Sequence, residues 1–121
     1  MGGLIELLRK IQARPGMYLG SPSITNLFMF LVGYKTARRE LGIEPTELEL
    51  QFYSGFQPWI QQRFQVQTVN SWANIILLYS TDEKEAFAYF FKLWDEFLAR
   101  DLSIVNTPGA SLLEVAIQPT S

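Results

Sequence analysis

The heptapeptide Arg14-Pro15-Gly16-Met17-Tyr18-Leu19-Gly20 separates a short amphipathic N-terminal segment from the most apolar helix candidate of the chain. Pro15 fixes its own φ at about −65° and disfavours helical geometry at Arg14, so a preceding helix should end there. The two glycines permit a positive φ or a close approach of backbone. Residues 17–19 are too apolar for a solvated linker. We therefore predict a shaped loop that directs these side chains into the core and depends structurally on both glycines.

The composition is that of a globular protein with a single core. The chain has 121 residues, of which 48% are hydrophobic and 14% aromatic. We expect one domain, residues 1–121. The sequence contains neither cysteine nor histidine, which excludes thiol nucleophiles, imidazole bases, disulfides and metal sites built on these residues. No secretory signal or membrane-length apolar run is present, so we expect a cytoplasmic protein.

Charge is divided unevenly along the chain. Residues 1–39 contain six basic side chains and one acid, a balance of +5, whereas residues 40–121 contain four basic side chains and eleven acids, a balance of −7. Such a division indicates either matched faces within the molecule or an acidic surface for a basic partner. No dense basic cluster with interleaved aromatic residues occurs, which disfavours nucleic-acid binding.

Apolar spacing predicts two helices in the first third of the chain. Residues 3–13 show the i, i+4, i+7 pattern, and residues 22–41 follow a Ser-Pro-Ser start. The second helix is apolar nearly all round, which is typical of the buried centre of a bundle. Gly33 in its middle predicts a closely packed neighbour.

The remaining pattern predicts three helices and two extended segments. Residues 47–53 alternate with period two, as do residues 112–117, and the two segments are candidates to pair as a small sheet. Helical spacing covers residues 56–67, 71–79 and 82–100, and the last of these carries a wide aromatic stripe that we interpret as core. We therefore predict a mainly α, single-domain bundle of about five helices, with or without a two-stranded β edge.

The heptapeptide resembles a stretch near the N-terminus of DNA gyrase B subunits and related ATPases. In those enzymes the next helix supplies a Glu and an Asn for ATP hydrolysis, but residues 24–40 lack that Glu-x-x-x-Asn pattern. No Gly-rich lid or Asp-x-Gly motif follows. We therefore predict that the chain neither binds nor hydrolyses ATP.

A second resemblance covers most of the chain. The order of elements is similar to small bacterial proteins grouped with the immunity proteins of polymorphic and contact-dependent toxin systems. The pieces that carry it are the heptapeptide, Leu27…Gly33-Tyr34, Phe56-x-x-Trp59, Ser71-Trp72-x-x-Ile75-Ile76 and Glu85-Ala86-Phe87-x-x-Phe90-Phe91-x-Leu93. The resemblance implies a similar fold and a non-catalytic role, but it assigns no contact residues.

We therefore expect a non-catalytic binding protein, without cofactor or metal, that neutralises a nuclease-type toxin by occluding it. Because nucleases bind a polyanion, their active-site surface is basic, and acidic side chains on an inhibitor speed the encounter. This argument selects two acidic groups as candidate partner-binding residues: Glu44, Glu47, Glu49, Asp82 and Glu83. The alternatives are a small-molecule or regulatory sensor with a ligand between its aromatic helices, and, less favoured, an enzyme that uses carboxylates. We expect no nucleic-acid or membrane partner.

Overall fold

The computed structural model describes residues 3–106, and their side chains as far as residue 100. The fold class is mainly α, as predicted, but the described residues form six helices and no strand. In chain order the helices are α1 (Leu4–Ala13), α2 (Pro15–Leu19), α3 (Ile24–Glu40), α4 (Glu47–Phe64), α5 (Trp72–Leu78) and α6 (Glu83–Asn106).

The chain divides into two compact units, one ending at Phe91 and one beginning at Lys92. In the first unit, α2 packs against α1 and α3, and α5 packs against α3 and α4. In the second unit, Trp94 stacks on Phe97 with ring centroids 6.1 Å apart, and the guanidinium of Arg100 lies 4.5 Å from the centre of the Phe97 ring.

The heptapeptide is a five-residue helix instead of a loop, and its side chains do not enter the core. Pro15 occupies the first position of α2, where its missing N–H costs nothing. Met17 is 69% exposed, and no residue of α2 is buried. Gly20 has the predicted positive φ, 84°, at the C-terminus of α2. Gly16 is helical, and a Cβ added to it would meet no atom within 4 Å, so the predicted structural role of this glycine is wrong.

Helix α3 buries one face instead of forming the centre of a bundle. Ser23 caps it by accepting the Asn26 N–H at 3.0 Å, so the helix begins at Ile24 and not at residue 22 as predicted. Met29 is 60% exposed, and a Cβ added to Gly33 would meet nothing within 4 Å. Met29 and Val32 on the outer faces are therefore exposed, and the predicted close neighbour of Gly33 is absent from the described residues.

The predicted strand 47–53 is wrong, because these residues form the first two turns of α4. A capping box starts the helix: the Thr46 hydroxyl accepts the Glu49 N–H at 3.1 Å, and the Glu49 carboxylate accepts the Thr46 N–H at 2.9 Å. The two bonds satisfy N–H groups that a helix leaves open, and tertiary burial of Phe52 and Phe56 extends the same helix. The proposed partner strand, 112–117, lies outside the described residues.

The predictions for α5 and the beginning of α6 are confirmed. Ser71 caps α5, and the Asp82 carboxylate accepts the Glu85 N–H at 2.8 Å. The aromatic stripe of α6 is core, as expected, with Phe87, Phe90, Phe91, Trp94 and Phe97 buried. Within the first unit, Trp72 is the centre of the aromatic packing and lies 5.0–5.9 Å, between ring centroids, from Phe28, Phe52, Phe56 and Phe90.

Candidate functional site

Glu49, one of the predicted partner-binding residues, is fully buried and holds three elements together. Its side chain is 0% exposed. One carboxylate oxygen accepts the N–H of Leu4, the first residue of α1, at 3.0 Å, and the other accepts the Arg38 guanidinium at 3.1 Å. Together with the capping-box bond from Thr46, these contacts satisfy the buried charge. Glu49 is therefore not available to a partner, and its place in the predicted acidic surface is corrected.

Glu83 is also engaged inside the molecule. Its carboxylate accepts hydrogen bonds from the Thr25 N–H at 2.9 Å, the Thr25 hydroxyl at 2.7 Å and the Ser23 hydroxyl at 2.8 Å. Partial burial raises the pKa of this carboxyl, but hydrogen bonds from Thr25, Ser23 and the Ile24 backbone outweigh that effect and leave the pKa below its ordinary value. Glu83 thus places a negative charge at the N-terminus of α3, where the helix dipole favours it.

The other three predicted residues are exposed and lie in two places. Glu44 and Glu47 flank the turn between α3 and α4, whereas Asp82 precedes α6 and caps it. Glu44 and Glu47 are thus the remaining acids of the first predicted group. Their exposure is compatible with partner contact.

The turn between α3 and α4 is fixed by backbone hydrogen bonds. Gly42 has φ 71°, and its N–H donates to the Arg39 carbonyl at 3.0 Å. The Ile43 N–H donates to the Arg38 carbonyl at 2.9 Å. This pair of bonds is a Schellman motif, in which a glycine adopts the left-handed conformation at low cost. It holds Ile43 beside the end of α3.

This turn and the start of α4 present large apolar side chains to solvent. Leu41 is 75% exposed, Leu50 49% and Ile43 43%. The acids Glu44 and Glu47 lie in the same segment. We refer to Leu41, Ile43, Glu44, Glu47 and Leu50 as the α3–α4 corner. An exposed apolar group with charged residues around it is typical of a protein interaction surface.

Beside the α3–α4 corner is an open cavity of about 410 Å³, which we call the outer cavity. Its apolar walls include Ile43, Leu50 and Tyr53. Its charged lining consists of Lys35, Arg38, Arg39, Glu44 and Glu49. A volume of this size falls in the usual range for small-molecule sites, roughly 300–1,000 Å³.

A second cavity of about 210 Å³, the inner cavity, lies between α3, α4 and α5. It is lined largely by apolar and aromatic side chains, among them Phe28, Leu31 and Trp72. Lys35 and Tyr53 line both cavities, and the Lys35 ammonium lies 4.6 Å from the centre of the Tyr53 ring. The two cavities are therefore adjacent and are separated by this cation–π pair, and we refer to them together as the cleft.

The two tyrosines near Glu49 are kept neutral. Burial raises the pKa of Tyr53, and the negative charge of Glu49 raises it further, while Arg38 opposes the change. Burial likewise raises the pKa of Tyr34, whose ring lies 5.1 Å from the Arg38 guanidinium carbon. Neither phenol therefore contributes negative charge to the outer cavity at neutral pH.

Apart from Glu44 and Glu49, the residues that line the cleft are not among the site residues predicted from the sequence. Three cations of the cleft have a simpler interpretation in the sequence, where they only complement the dipole of α3: Lys35, Arg38 and Arg39. That interpretation also holds in the structure. The prediction of a strand for residues 47–53 does not indicate that Leu50 and Tyr53 lie together. On the helix observed there, the two residues are three positions apart and share a face. The capping pattern of Thr46 and Glu49 is the feature of the sequence that indicates a helix there.

Comparison of the chain with protein-family models, curated proteins and solved structures found no match. Within residues 3–106, no helix has the length and apolar character needed to span a bilayer. The same part of the chain brings no three acidic side chains together in a group that would suit a metal ion.

Proposed function

We propose that this chain is a non-catalytic protein whose function is to bind another protein through the α3–α4 corner. The observation that carries this proposal is the exposure of Leu41 and Ile43 on a turn that backbone hydrogen bonds hold in place, together with that of Leu50 near the start of α4. Because the turn is already ordered, binding does not have to meet the entropic cost of ordering it. Apolar side chains at the centre and charges at the rim give both affinity and selectivity.

The partner that we propose is a toxin of the nuclease type, which the chain would neutralise in the cytoplasm by covering its basic surface. Support comes from the sequence resemblance to immunity proteins and from the two exposed acids at the corner, Glu44 and Glu47. These acids would face basic side chains of the toxin and accelerate association. Glu49 and Glu83 would act indirectly, by holding α1 and α3 in position.

We expect a toxin gene beside the gene for this chain, and the test uses the protein that it encodes. Co-expression should restore growth to cells that produce the toxin. The double variant Leu41→Ala/Leu50→Ala should bind the toxin at least about tenfold more weakly, which corresponds to about 1.4 kcal/mol. Leu78→Ala is the matched control, because Leu78 is 72% exposed on α5 and lies outside the corner. Its binding should equal that of the wild type.

The contribution of the two acidic side chains to toxin binding is tested separately with the double variant Glu44→Lys/Glu47→Lys. Its association with the toxin should slow, and the defect should be largest at low salt, because exposed charges are screened at high ionic strength. Glu6→Lys/Asp95→Lys, at exposed positions of α1 and α6 outside the corner, is the control, because two acid-to-lysine changes alter the net charge by the same amount. Growth rescue and binding that survive both corner variants unchanged would exclude the corner as the interface.

A second candidate function is a sensor for a small molecule. The observation that favours it is the cleft, whose inner part lies between aromatic side chains of α3, α4 and α5. A ligand there would contact three helices of the first unit at once, and could therefore bias their packing.

A further inference from the structure

The outer cavity carries a positive charge that the protein leaves open. Arg38 forms a salt bridge with the buried Glu49, so this pair contributes no net charge. Of the remaining charged side chains that line the cavity, Lys35 and Arg39 are cationic and Glu44 is anionic. Neither Lys35 nor Arg39 pairs with an acid in the described part of the chain. The cavity therefore has a balance of about +1 and donor groups ready for an anion.

Apolar surface continues inward from these donors. Ile43, Leu50 and Tyr53 form walls of the outer cavity, and Tyr53 also lines the inner cavity, where Phe28 and Trp72 follow. An anion without an apolar part would leave these walls in contact with water. An apolar molecule without charge would desolvate Lys35 and Arg39 with no compensating partner, which is unfavourable.

We propose that the cleft binds a small amphipathic carboxylic acid, an inference that rests on the second candidate function. The carboxylate lies in the outer cavity against Arg39 and Lys35, and the hydrocarbon part lies along Leu50 and Tyr53 toward the inner cavity. A monoanion matches the +1 balance of the cavity, whereas the dianion of a phosphate ester would exceed it. The planar guanidinium of Arg39 also suits the two oxygens of a carboxylate.

Trp72 provides a reporter for the inner end of the cleft. Its ring lines the inner cavity and packs 5.3 Å from Phe28, centroid to centroid. With Trp59 and Trp94 replaced by Phe, the remaining fluorescence comes from Trp72. A hydrocarbon tail that reaches the inner cavity should change this emission in a saturable manner.

The experiment titrates this single-tryptophan protein with octanoate, 1-octanol, acetate and inorganic phosphate, and repeats each titration by calorimetry on the wild type. Octanoate should bind to one site, and each of the other three probes at least tenfold more weakly. Arg39→Gln should weaken octanoate binding about tenfold or more, since it removes a charge-assisted hydrogen bond to the carboxylate. Lys84→Gln, an exposed cation of α6 outside the cleft, should leave the affinity unchanged.

The possible outcomes separate the ligand class from the sensor function. If 1-octanol binds as tightly as octanoate, the carboxylate proposal is overturned while a ligand site remains. Equal binding of acetate, phosphate and octanoate would show that the cleft takes an adventitious ion only. If no probe binds and toluene, a neutral aromatic probe that does not absorb where tryptophan is excited, also leaves the Trp72 emission unchanged, both the proposal and the sensor function fail. Melting temperatures of all variants establish that they are folded.

Discussion

At the scale of the residue, Glu49 shows how a charge is accommodated inside the first unit. Its carboxylate accepts hydrogen bonds from Leu4, Thr46 and Arg38, which belong to three different segments. A buried carboxylate without such partners would be strongly destabilising. With them, the same charge fixes the position of α1 and the beginning of α4 relative to the end of α3.

We predict that Glu49→Ala lowers the free energy of unfolding by about 3–5 kcal/mol, because it removes one partner of a buried ion pair and leaves Arg38 uncompensated. Glu47→Ala is the control. It removes an exposed acid from the same turn of α4, and should cost about 0.3–1 kcal/mol through the helix dipole. Urea denaturation at neutral pH measures both changes. Equal, small effects would mean that Glu49 is not the structural link described here.

Gln65 is a second residue whose conformation should have a measurable effect on stability. It follows α4 with φ 56° and ψ 49°, and its N–H donates to the Gln62 carbonyl at 3.1 Å while the next N–H reaches the Gln61 carbonyl at 2.9 Å. Left-handed backbone costs a residue with a Cβ about 1–2 kcal/mol, and glycine avoids this cost.

We therefore predict that Gln65→Gly raises the free energy of unfolding by about 0.5–1 kcal/mol, in spite of the greater flexibility of glycine in the unfolded chain. Gln62→Gly provides the comparison, since the same substitution at a helical position should destabilise by about 1 kcal/mol. Thermal unfolding of both variants gives the sign. A lower melting temperature for Gln65→Gly would show that the left-handed conformation at this position carries no strain.

At the scale of the element, three helices begin with an N–H group that a side chain from another helix accepts. Glu49 of α4 serves α1 through Leu4, Glu83 of α6 serves α3 through Thr25, and Gln57 of α4 serves α5 by accepting the Trp72 N–H at 2.7 Å. The first N–H groups of a helix have no partner within it. These long-range caps therefore add a tertiary contribution to the start of each helix, beside the local caps that Ser23 and Ser71 give α3 and α5.

The Glu83 cap should make stability depend on pH. The pKa of Glu83 in the folded protein is below its ordinary value of 4.5, so the unfolded state binds the proton more readily. The stabilisation is complete above that ordinary value and is lost as pH falls through the folded pKa. We predict that Glu83→Gln destabilises by about 1 kcal/mol at neutral pH, a modest value because the site is partly exposed. The difference should shrink steadily as the pH falls below 4.5.

Chemical denaturation of both proteins between about pH 3 and pH 7 measures this effect. Asp95→Asn is the control, as Asp95 is exposed and accepts no hydrogen bond from the described residues. Its stability should follow the wild-type curve at every pH. If Glu83→Gln remained equally destabilised relative to the wild type at the acidic end of the range, the loss of stability would come from packing and not from charge.

At the scale of the molecule, the distribution of charge is partly internal. The basic end of α3 and the acidic beginning of α4 meet in the Arg38–Glu49 salt bridge, which joins the +5 and −7 portions of the sequence. Contacts between basic and acidic side chains within the molecule therefore explain part of the uneven charge distribution. The exposed acids Glu44 and Glu47 explain a further part of the negative charge. The acids that remain outside are the ones a basic partner can reach.

Local sequence was sufficient to predict the helices whose apolar spacing and caps agree. Ser71 and Asp82 begin α5 and α6 where the pattern predicts, because a hydroxyl or carboxylate cap acts over three residues and needs no tertiary partner. The buried aromatic stripe of α6 is also predictable from local sequence, because the helical period alone aligns Phe87, Phe90 and Phe97.

The helical conformation at the start of α4, and the site beside it, depend on tertiary contacts. Alternation in residues 47–53 suits a strand, but burial of Phe52 and of Glu49, with the hydrogen bond from the distant Leu4 N–H, selects the helix. The periodicity of apolar residues in a short segment constrains its conformation only weakly when long-range contacts stabilise another conformation. The cleft depends on that choice, because Leu50 and Tyr53 share a face opposite Lys35 only when α4 begins at Glu47.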